Sequence, residues 1–483
     1  MGMLEGQRTG FSAMADSLKF GTSGLRGLAR ELIGPATRRY TAAFLAHLQA
    51  RGAAGRGKVF IGQDFRESSP RIAADCASAI RASGLVPVDC GAVPTPALAL
   101  HAMAEGGPAI MITGSHIPAD RNGLKFYTPS EEISKEDELG ILGALPDAPP
   151  VDMPGETLDG YPATVDRYRR RYGGLLALDA LQGWRVGVFE HSSVARDMLV
   201  SMLIRAGADV VRLSRAAGFV AVDTEATADA LYAPRHDWIA QHRLDAIVST
   251  DGDGDRPLII DDNGAFVRGD VLGILAARFV GANTVVTPVT SNSGIEGVGY
   301  FERVERTKVG SPFVISGMES AAGPGRIVVG FEANGGVLLG SDVSIGNRTL
   351  GRLPTRDAVL PILAVLGSAA AAGMSLAAFV APLPVRPALS DRLTDVPTER
   401  SAMLTRRLAG EPDYASGFFA GVGDVESLTV IDGPRFVLKG GDVVHYRASG
   451  NAPELRCYVE GATPERAAQL LRWGLDAATK VVR

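Results

Sequence analysis

The stretch RVGVFEHSSVARDMLVSMLIRAGADVVRL, residues 185–213, shows the pattern on which the fold prediction rests. Its apolar beginning, 185–189, predicts a strand; a helical pattern follows over 194–206, and a second strand is predicted over 209–213. Strand, helix and strand in this order are typical of a βαβ unit in a parallel or mixed sheet. Ligand sites in such sheets lie at the loops that leave the carboxyl ends of the strands.

The same alternation of strands and helices recurs on both sides of this stretch. Before it, a helix is predicted over 69–83, and strands are predicted over 58–62, 86–89 and 109–113. After it, strands are predicted over 245–249, 285–287 and 327–329. We therefore expect three successive α/β units, which could be distant copies of one plan.

The last hundred residues show a different pattern. After the proline-rich segment 381–387, the predicted elements are short strands over 436–438, 443–447 and 455–459 and a final helix over 464–481. The sequence thus predicts an α/β protein with three successive α/β domains of mixed sheets and a smaller C-terminal α+β domain. The predicted domains are 1–158, 159–262, 263–385 and 386–483.

Composition narrows the functional class. Of the 483 residues, 46% are hydrophobic and 21% are charged, as in an ordinary globular protein. The 49 basic and 54 acidic residues leave a formal net charge of −5, so the charge balance gives no footprint for nucleic acid or an anionic membrane. A phosphate-binding site would therefore need a local cluster of basic residues.

Cysteines and terminal segments point to a cytoplasmic protein. The three scattered cysteines (Cys76, Cys90 and Cys457) are too few for a disulfide framework or a zinc site and predict buried, reduced thiols. The first twenty residues lack the basic and apolar regions of a signal peptide. The uncharged segment 358–383 predicts a buried helix followed by a linker, with Thr355 as the helix cap, in preference to a membrane span.

The strongest chemical signal is the sequence DGDGDR, residues 251–256, which follows a predicted strand. Three carboxylates at alternate positions, with glycines between them, can turn toward one hard cation, and oxygen ligands suit Mg²⁺. An EF-hand is excluded, because Arg256 stands where its loop requires glycine and 258–260 reads as a strand. A metal-dependent phosphatase with Asp251 as its nucleophile remains an alternative at this point.

A second signal is TGSHIP at 113–118, with Lys125 a few residues later. Ser115 lies on a glycine-bordered loop after a strand and is well presented as a nucleophile or phosphoryl carrier. His116 and Lys125 can supply proton transfer or positive charge beside it. Taken alone, such a Ser-His pair is more often an ordinary turn. The sequence lacks a GxSxG elbow here, so hydrolase chemistry is not favoured.

A third motif, RASGNAPELR at 447–456, carries two arginines in a loop between two predicted strands. Its polar side chains and glycine amides can surround a phosphate. The members that fit this role are Arg447, Ser449, Gly450, Asn451 and Arg456. Taken alone, the segment would be interpreted as an ordinary loop with its arginines in solvent.

Two weaker motifs complete the set. The glycine-rich loop FGTSGLRG at 20–27 has Arg26 near its end, but it lacks both the Walker lysine and the Rossmann spacing. The segment GFEANGG at 330–336 contains Glu332 and Asn334, which can hydrogen-bond sugar hydroxyls, although a structural turn explains its glycines equally well.

Together, the five motifs resemble the α-D-phosphohexomutase family, which includes phosphomannomutases, phosphoglucomutases and phosphoglucosamine mutases, and their order along the chain matches that family too. The resemblance spans residues 20–460. It implies a heart-shaped, four-domain architecture and an isomerase that interconverts hexose 6-phosphate and hexose 1-phosphate through a phosphoserine enzyme and a bisphosphate intermediate. Mannose is the favoured hexose and glucose a second candidate. The alternatives are a phosphoglucosamine mutase, a glucose-preferring phosphoglucomutase, a metal-dependent sugar phosphatase, and a sugar-phosphate-binding protein with a decayed site.

The resemblance also implies a role for each matching residue. Ser115 would carry the phosphoryl group and contact the metal, whose other ligands would be Asp251, Asp253 and Asp255. The residues implied near the transferring phosphoryl group are Arg26, His116, Lys125 and Arg256, with His116 and Lys125 as acid/base candidates. Glu332 and Asn334 fall on the sugar-specificity loop. The residues implied to hold the phosphate that is not transferred are Arg447, Ser449, Gly450, Asn451 and Arg456.

The implied cofactors are Mg²⁺ and a hexose 1,6-bisphosphate that acts as activator and intermediate. The implied partners are small-molecule sugar phosphates, without nucleic acid or membrane, in a monomer or weak homodimer. Several positions depart from the family's common pattern: Ile117, Ser311, Asn334 and Gly336. The sugar loop thereby lacks the usual serine and histidine, and Ser311 stands where many relatives have a histidine or aspartate. The phosphoserine and metal positions match, so the departures bear on sugar preference.

Overall fold

The computed structural model describes residues 17–21, 24–225, 230–449 and 453–483. In these ranges the chain forms three successive units that each combine a mixed sheet with helices, followed by a unit with an antiparallel sheet. The predicted fold class is confirmed.

The first unit contains a seven-stranded sheet. Its strands are β1 (Lys19–Phe20), β2 (Leu25–Leu28), β3 (Lys58–Gln63), β4 (Val86–Ala92), β5 (Ala109–Ile112), β6 (Arg121–Tyr127) and β7 (Leu158–Asp159). Its helices are α1 (Ala29–Leu32), α2 (Pro35–Ala50), α3 (Ser69–Ala82), α4 (Thr95–Glu105), α5 (Lys135–Gly143) and α6 (Tyr161–Tyr172). The strand order is β1-β2-β6-β5-β3-β4-β7. Strands β3, β4, β5 and β7 are parallel, and β6 pairs antiparallel with β5.

The second unit contains a five-stranded sheet in the order β12-β11-β10-β8-β9. These strands are β8 (Arg185–His191), β9 (Asp209–Arg215), β10 (Ala246–Thr250), β11 (Pro257–Asp261) and β12 (Phe266–Val267). Its helices are α7 (Arg196–Arg205) and α8 (Arg235–His242), with a 3-10 turn at Ala230–Tyr232. Strands β8, β9 and β10 are parallel, and β11 returns antiparallel to β10 with Thr250 opposite Pro257.

The third unit contains the sheet β14-β13-β15-β16-β19 and a separate hairpin, β17-β18. The strands are β13 (Thr284–Pro288), β14 (Arg303–Thr307), β15 (Val328–Phe331), β16 (Val337–Leu339), β17 (Val343–Ile345), β18 (Arg348–Leu350) and β19 (Leu353–Asp357). The helices are α9 (Gly269–Phe279), α10 (Ser311–Ala321), α11 (Val359–Ala371) and α12 (Leu376–Val380), with a 3-10 turn at Ser293–Val298. Strands β13, β14 and β15 are parallel, and β16 pairs antiparallel with β15.

The fourth unit is an antiparallel sheet covered by helices. Its strands are β20 (Ala388–Leu393), β21 (Val425–Thr429), β22 (Arg435–Leu438), β23 (Val443–Ala448) and β24 (Leu455–Glu460), in the order β20-β24-β23-β22-β21. Its helices are α13 (Thr398–Gly410), α14 (Pro412–Phe419) and α15 (Pro464–Val482).

The first three sheets contain one common plan. The strand orders β6-β5-β3-β4, β11-β10-β8-β9 and β16-β15-β13-β14 correspond strand by strand, and each ends in an antiparallel pair. The loops within these pairs contain the serine motif, the three aspartates and the Glu332 turn. The structure thus bears out the idea that the three α/β units follow one plan.

The main hydrophobic core is shared by the first three units, although each of these units has its own sheet. One contiguous cluster of buried side chains extends through the first three units and includes Phe60, Leu199 and Leu363. The fourth unit has a core of its own around Phe419 and Phe436. The three α/β units are therefore held together by shared apolar burial, whereas the fourth is packed on itself.

The uncharged segment 358–383 contains the predicted buried helix, α11, but two details of the prediction were wrong. The cap is Asp357, whose Oδ1 accepts from the amides of Val359 (2.7 Å) and Leu360 (3.2 Å), while Thr355 lies inside β19. The predicted linker contains the short helix α12. Across the described ranges, no helix combines the length and apolar character needed to cross a membrane.

Candidate active site

Ser115 lies at the tip of the loop between β5 and β6. Its side chain is buried, and its backbone has a φ of 52°, in the left-handed region that non-glycine residues rarely adopt. Its Oγ donates to Asp251 Oδ2 at 2.5 Å, and Nδ1 of His116 lies 3.3 Å from the same Oγ. The structure therefore joins the two motifs that the sequence separates by more than a hundred residues.

Arg66, which the sequence analysis missed, holds this loop in place. Its buried guanidinium donates to backbone carbonyls of the serine loop at 2.6–3.0 Å, those of Ser115, Ile117, Pro118 and Arg121. Its Nε donates to Asp64 at 3.1 Å. Gly114 leaves the necessary room, because a Cβ there would lie 2.6 Å from Arg66 Cζ. The signal that could have revealed this residue is the charged pair DxR directly after the apolar strand β3.

The aspartates of the loop 251–256 form one buried cluster. Carboxylate oxygens of Asp251, Asp253 and Asp255 lie within 4.8 Å of one another, and all three side chains are almost fully buried. Lys125 Nζ donates to Asp253 at 2.6 Å and to Asp255 at 2.7 Å. Lys125, on β6 of the first unit, thus places its positive charge beside the carboxylates of the second unit.

The donor set fits a hard divalent cation. Oδ1 of Asp253 and Oδ1 of Asp255 are buried and have no hydrogen-bond partner among the described residues. Such atoms are costly to bury unless an ion satisfies them. Burial and the adjacent charges of Asp253 and Asp255 raise the pKa of Asp251 well above its ordinary value, so the three carboxylates need positive charge among them to ionise together. Oxygen ligands of this type suit Mg²⁺.

The contacts of Asp251 argue against a phosphatase nucleophile. Its Oδ2 accepts from Ser115, and its Oδ1 accepts from the amides of Asp255 and Arg256, both at 3.2 Å. The side chain is fully buried. An attacking carboxylate needs an oxygen that faces the substrate, and both oxygens of Asp251 are already engaged inside the cluster.

The basic residues around the cluster differ in charge state. Burial would lower the pKa of Lys125, but Asp253 and Asp255 raise it above its ordinary value, so Lys125 stays protonated. Burial and repulsion from Arg256 and Arg26 lower the pKa of His116 to about 2, so its imidazole is neutral. At neutral pH, His116 is therefore uncharged and could only pass a proton on without keeping it, whereas Lys125 serves as fixed positive charge.

Arg26 and Arg256 bring further positive charge to the same place. Arg26 lies on β2 opposite Gly123 of β6, two residues before Lys125. Burial, with repulsion from Arg256 and Arg356, lowers the pKa of Arg26 to about 10, which leaves it protonated. The Nε of Arg256 is 3.8 Å from Asp255 Oδ1.

The turn after β15 supplies the predicted sugar-loop residues. Glu332 Oε2 accepts from Arg356 Nη1 at 2.7 Å, and Asn334 Oδ1 accepts from the amide of Gly336 at 3.0 Å. Arg356 also donates to Asp255, at 3.1 Å from Nε and 2.8 Å from Nη2. Sequence reasoning missed Arg356, although a charged residue just before the long uncharged segment 358–383 was a usable signal.

The predicted phosphate-loop residues form a separate basic cluster on the fourth unit. Arg447 and Arg456 are direct partners across the antiparallel strands β23 and β24. Arg447 Nε donates to Asp432 Oδ2 at 2.7 Å, and Asp432 Oδ2 also accepts from the amide of Val309 at 3.0 Å. Ser449 is buried next to them. Gly450 and Asn451 lie outside the described residues.

Comparison with known proteins identifies the family. Models of the phosphoglucomutase/phosphomannomutase family match residues 17–147 (alpha/beta/alpha domain I), 268–385 (alpha/beta/alpha domain III) and 397–472 (C-terminal domain). A phosphomannomutase from Sinorhizobium fredii is 48% identical over 95% of this chain and 98% of its own. A phosphomannomutase from Salmonella muenchen is 41% identical over 94% of each chain.

Solved structures share the fold. A phosphoglucomutase/phosphomannomutase family protein from Burkholderia thailandensis superposes with a TM-score of 0.74 at 21% identity, over 96% of this chain and 98% of that one. An N-acetylphosphoglucosamine mutase variant from Aspergillus fumigatus, in complex with glucose 1,6-bisphosphate, gives a TM-score of 0.59 at 16% identity, over 98% and 96% of the two chains.

Fold, site and relatives together define an isomerase that transfers a phosphoryl group within hexose phosphates. The chain belongs to the phosphoglucomutase/phosphomannomutase family.

Proposed function

We propose that this enzyme converts mannose 6-phosphate and mannose 1-phosphate into each other through phosphorylated Ser115, with glucose phosphates as weaker substrates. The observation that carries the proposal is the 2.5 Å hydrogen bond from Ser115 Oγ to Asp251, inside a buried cluster of carboxylates and basic side chains. The two phosphomannomutase relatives support mannose as the preferred hexose.

The proposed metal is Mg²⁺, which Ser115, Asp251, Asp253 and Asp255 would hold. When bound, it would supply positive charge that offsets the negative charge of a phosphorylated Ser115. The unpartnered oxygens of Asp253 and Asp255 support this assignment. Lys125 keeps the same two carboxylates in position from the other side.

The proposed chemistry is phosphoryl transfer between Ser115 Oγ and a sugar hydroxyl. The bond from phosphorus to Ser115 Oγ breaks while a bond to the sugar oxygen forms. Neutral His116, whose Nδ1 lies 3.3 Å from Ser115 Oγ, takes the proton of the sugar hydroxyl and passes it to Ser115 Oγ as the bond from Oγ to phosphorus breaks. Arg26 and Lys125 stabilise the charge on the transferring oxygens, because fixed cations in a buried site act strongly on developing charge.

The product of this first transfer is a hexose 1,6-bisphosphate, which has to turn over before its other phosphate returns to Ser115. We assign the sugar hydroxyls to Glu332 and Asn334, with Arg256 beside the reacting phosphate. The group that grips the distal phosphate consists of Arg447, Ser449, Gly450, Asn451 and Arg456. The separate core of the fourth unit supports a movement of that unit while the sugar turns.

Domain boundaries near residues 158, 262 and 385 belong to the same proposal, as do a monomeric or weakly dimeric state and a cytoplasmic location. Cys76, Cys90 and Cys457 are buried and unpaired, which suits a reducing compartment.

The direct test is an assay with mannose, glucose and glucosamine 1-phosphates, each with Mg²⁺ and a catalytic amount of the matching 1,6-bisphosphate. We expect 6-phosphate formation to be fastest with mannose. Reactions with a chelator, and reactions without bisphosphate, serve as controls. Release of inorganic phosphate as the main product would show a phosphatase, and unchanged substrate in all three reactions would show a binding protein.

A further inference from the structure

Arg356 connects the two loops to which the proposed function assigns different tasks. On one side, its Nε and Nη2 donate to Oδ2 of Asp255, a proposed metal ligand. On the other side, its Nη1 donates to Oε2 of Glu332, the proposed sugar ligand, at 2.7 Å. The side chain is 5% exposed, so these ion pairs are shielded from solvent.

The surroundings of Arg356 are shaped for a guanidinium. Ser311 Oγ, fully buried at the start of α10, accepts from Arg356 Nη1 at 2.7 Å. Gly336 leaves the space through which the side chain passes, since a Cβ there would lie 2.7–2.9 Å from Cδ, Cγ and Cβ of Arg356. A small hydroxyl at one position and no side chain at the other thus accommodate the same arginine.

We infer that Arg356 is a positioning residue that determines sugar specificity by fixing the Glu332 carboxylate relative to the metal loop. This inference rests on the proposed mutase function. A planar guanidinium can serve two carboxylates and a hydroxyl at once, because its donors point in fixed directions. The position at which Glu332 meets a sugar hydroxyl then depends on Asp255, and therefore on the same cluster that holds Ser115.

The inference also accounts for two departures of this sequence from the family's common pattern, one at the start of α10 and one in the sugar loop. Ser311 and Gly336 are two of the positions at which this sequence departs from the family's common pattern. Both contact Arg356 directly, so their size is set by the arginine that lies between them. A bulkier side chain at either position would displace the guanidinium from Glu332.

The test compares Arg356→Lys with Arg352→Ala, a control that removes a half-exposed arginine near the start of the same strand. Lysine keeps the charge but cannot hold both carboxylates in fixed geometry. We expect Arg356→Lys to lower the ratio of kcat/KM for mannose 1-phosphate over glucose 1-phosphate by about tenfold, the effect of one charge-assisted hydrogen bond. The control should leave the ratio unchanged.

A double-mutant cycle with Glu332→Gln distinguishes positioning from a general structural effect. If Arg356 acts through Glu332, the double variant Arg356→Lys/Glu332→Gln should lose no more discrimination than the worse single variant. Additive losses, or an unchanged ratio in Arg356→Lys, would overturn the inference. Thermal stabilisation by mannose 6-phosphate compared with glucose 6-phosphate gives the same information without turnover.

If Arg356→Lys does not fold, Gly336→Ala provides a second test. Its added Cβ pushes against the arginine without removing any charge, so we expect the same fall in the mannose-to-glucose ratio of kcat/KM. An unchanged ratio would count against the inference. Absence of isomerisation by the unaltered protein would instead remove the proposed function itself, so the two failures are distinguishable.

Discussion

The cluster around Ser115 and the basic pair on the fourth unit, both proposed to hold phosphate groups, are built in opposite ways. Around Ser115, residues from the first, second and third units meet beside the core that these units share, and the side chains of Ser115, Asp251 and Arg356 are buried. On the fourth unit, Arg447 and Arg456 lie on one sheet with its own core, and the Arg456 side chain is 36% exposed.

Under the proposed function, this difference would make the enzyme rigid toward the reacting phosphate and adaptable toward the rest of the substrate. Ser115 and the aspartates are held in place before any substrate arrives, as electrostatic catalysis requires. Arg447 is held by Asp432, and Asp432 also contacts the third unit at the amide of Val309. A phosphate that takes the place of Asp432 at Arg447 would therefore also loosen the contact of Asp432 with Val309, which joins the third and fourth units.

The largest expected effect comes from a substitution in the rigid cluster around Ser115. Ser115→Ala removes the proposed phosphoryl carrier, and we expect kcat to fall on the order of a thousandfold or more, as when other covalent nucleophiles are removed. Steady-state turnover of mannose 1-phosphate measures the loss, and intact-mass analysis should show phosphate on the unaltered protein only. Circular dichroism should be unchanged, since this loop serine adds little to the core. Phosphate bound to Asp251 in the unaltered protein would contradict the mechanism.

The second prediction concerns the aspartates. Asp253→Asn removes one charge from the proposed metal site, and we expect weaker Mg²⁺ binding and a fall in kcat on the order of a hundredfold, since a catalytic metal contributes several kcal/mol. Calorimetric titration of Mg²⁺ and rates at saturating Mg²⁺ test the two parts separately. Full activity of the unaltered protein in a chelator would show that the cluster does not serve a metal.

The third prediction concerns the basic pair Arg447 and Arg456 on the fourth unit. Arg447→Ala should raise KM by about tenfold to a hundredfold for every hexose phosphate, because phosphate is common to all of them and a charge-assisted hydrogen bond contributes about 1.5–3 kcal/mol. Mg²⁺ affinity should not change. Arg472→Ala, at an exposed position of α15, is the matched control. A changed order of preference among hexoses, with KM for the best substrate unaltered, would contradict the division between the phosphate loop and the sugar loop.

The smallest expected effect concerns how the stability of the first three units depends on pH. Burial and the charge of Glu319 raise the pKa of Glu131 to about 7, across the boundary between the first and third units. A carboxyl whose folded pKa is raised binds its proton more tightly in the folded state, so its contribution to stability falls as pH rises from about 5 to 7. Glu131→Gln should flatten this part of the Tm–pH curve. An identical slope in both proteins would argue that Glu131 does not sense pH.

Much of this architecture was predictable because its signals are local. Strand 109–113 and the loop after it were predicted almost to the residue, since an apolar run ending in TGS carries its own pattern. Lys125 was identified as a cation near Ser115, but its position between Asp253 and Asp255 depends on the pairing of β6 with β5 across the first sheet. Sequence patterns do not report such long-range pairing.

The residues that were missed act at a distance along the chain. Arg66 acts on the loop 115–121 and Arg356 on Asp255, roughly a hundred residues from its own position, so neither is part of a recognisable motif. Thr355 was taken for a helix cap because threonine is common there, but the buried carboxylate of Asp357 took that role. In each case tertiary contacts decided between chemically plausible local choices.

The recurrence of one hairpin at equivalent places in three sheets has a consequence for how the chain can change over time. Each of the first three units contributes one loop to the site: the serine, the aspartates and the Glu332 turn occupy corresponding positions after β5, β10 and β15. Such an arrangement is what repeated duplication of a single ancestral module would leave behind. Under the proposed assignments, one copy acquired the phosphoryl carrier, the next the metal ligands and the third the residues that contact the sugar, so that substitutions in the third loop would change substrate choice while the chemistry of the other two is kept.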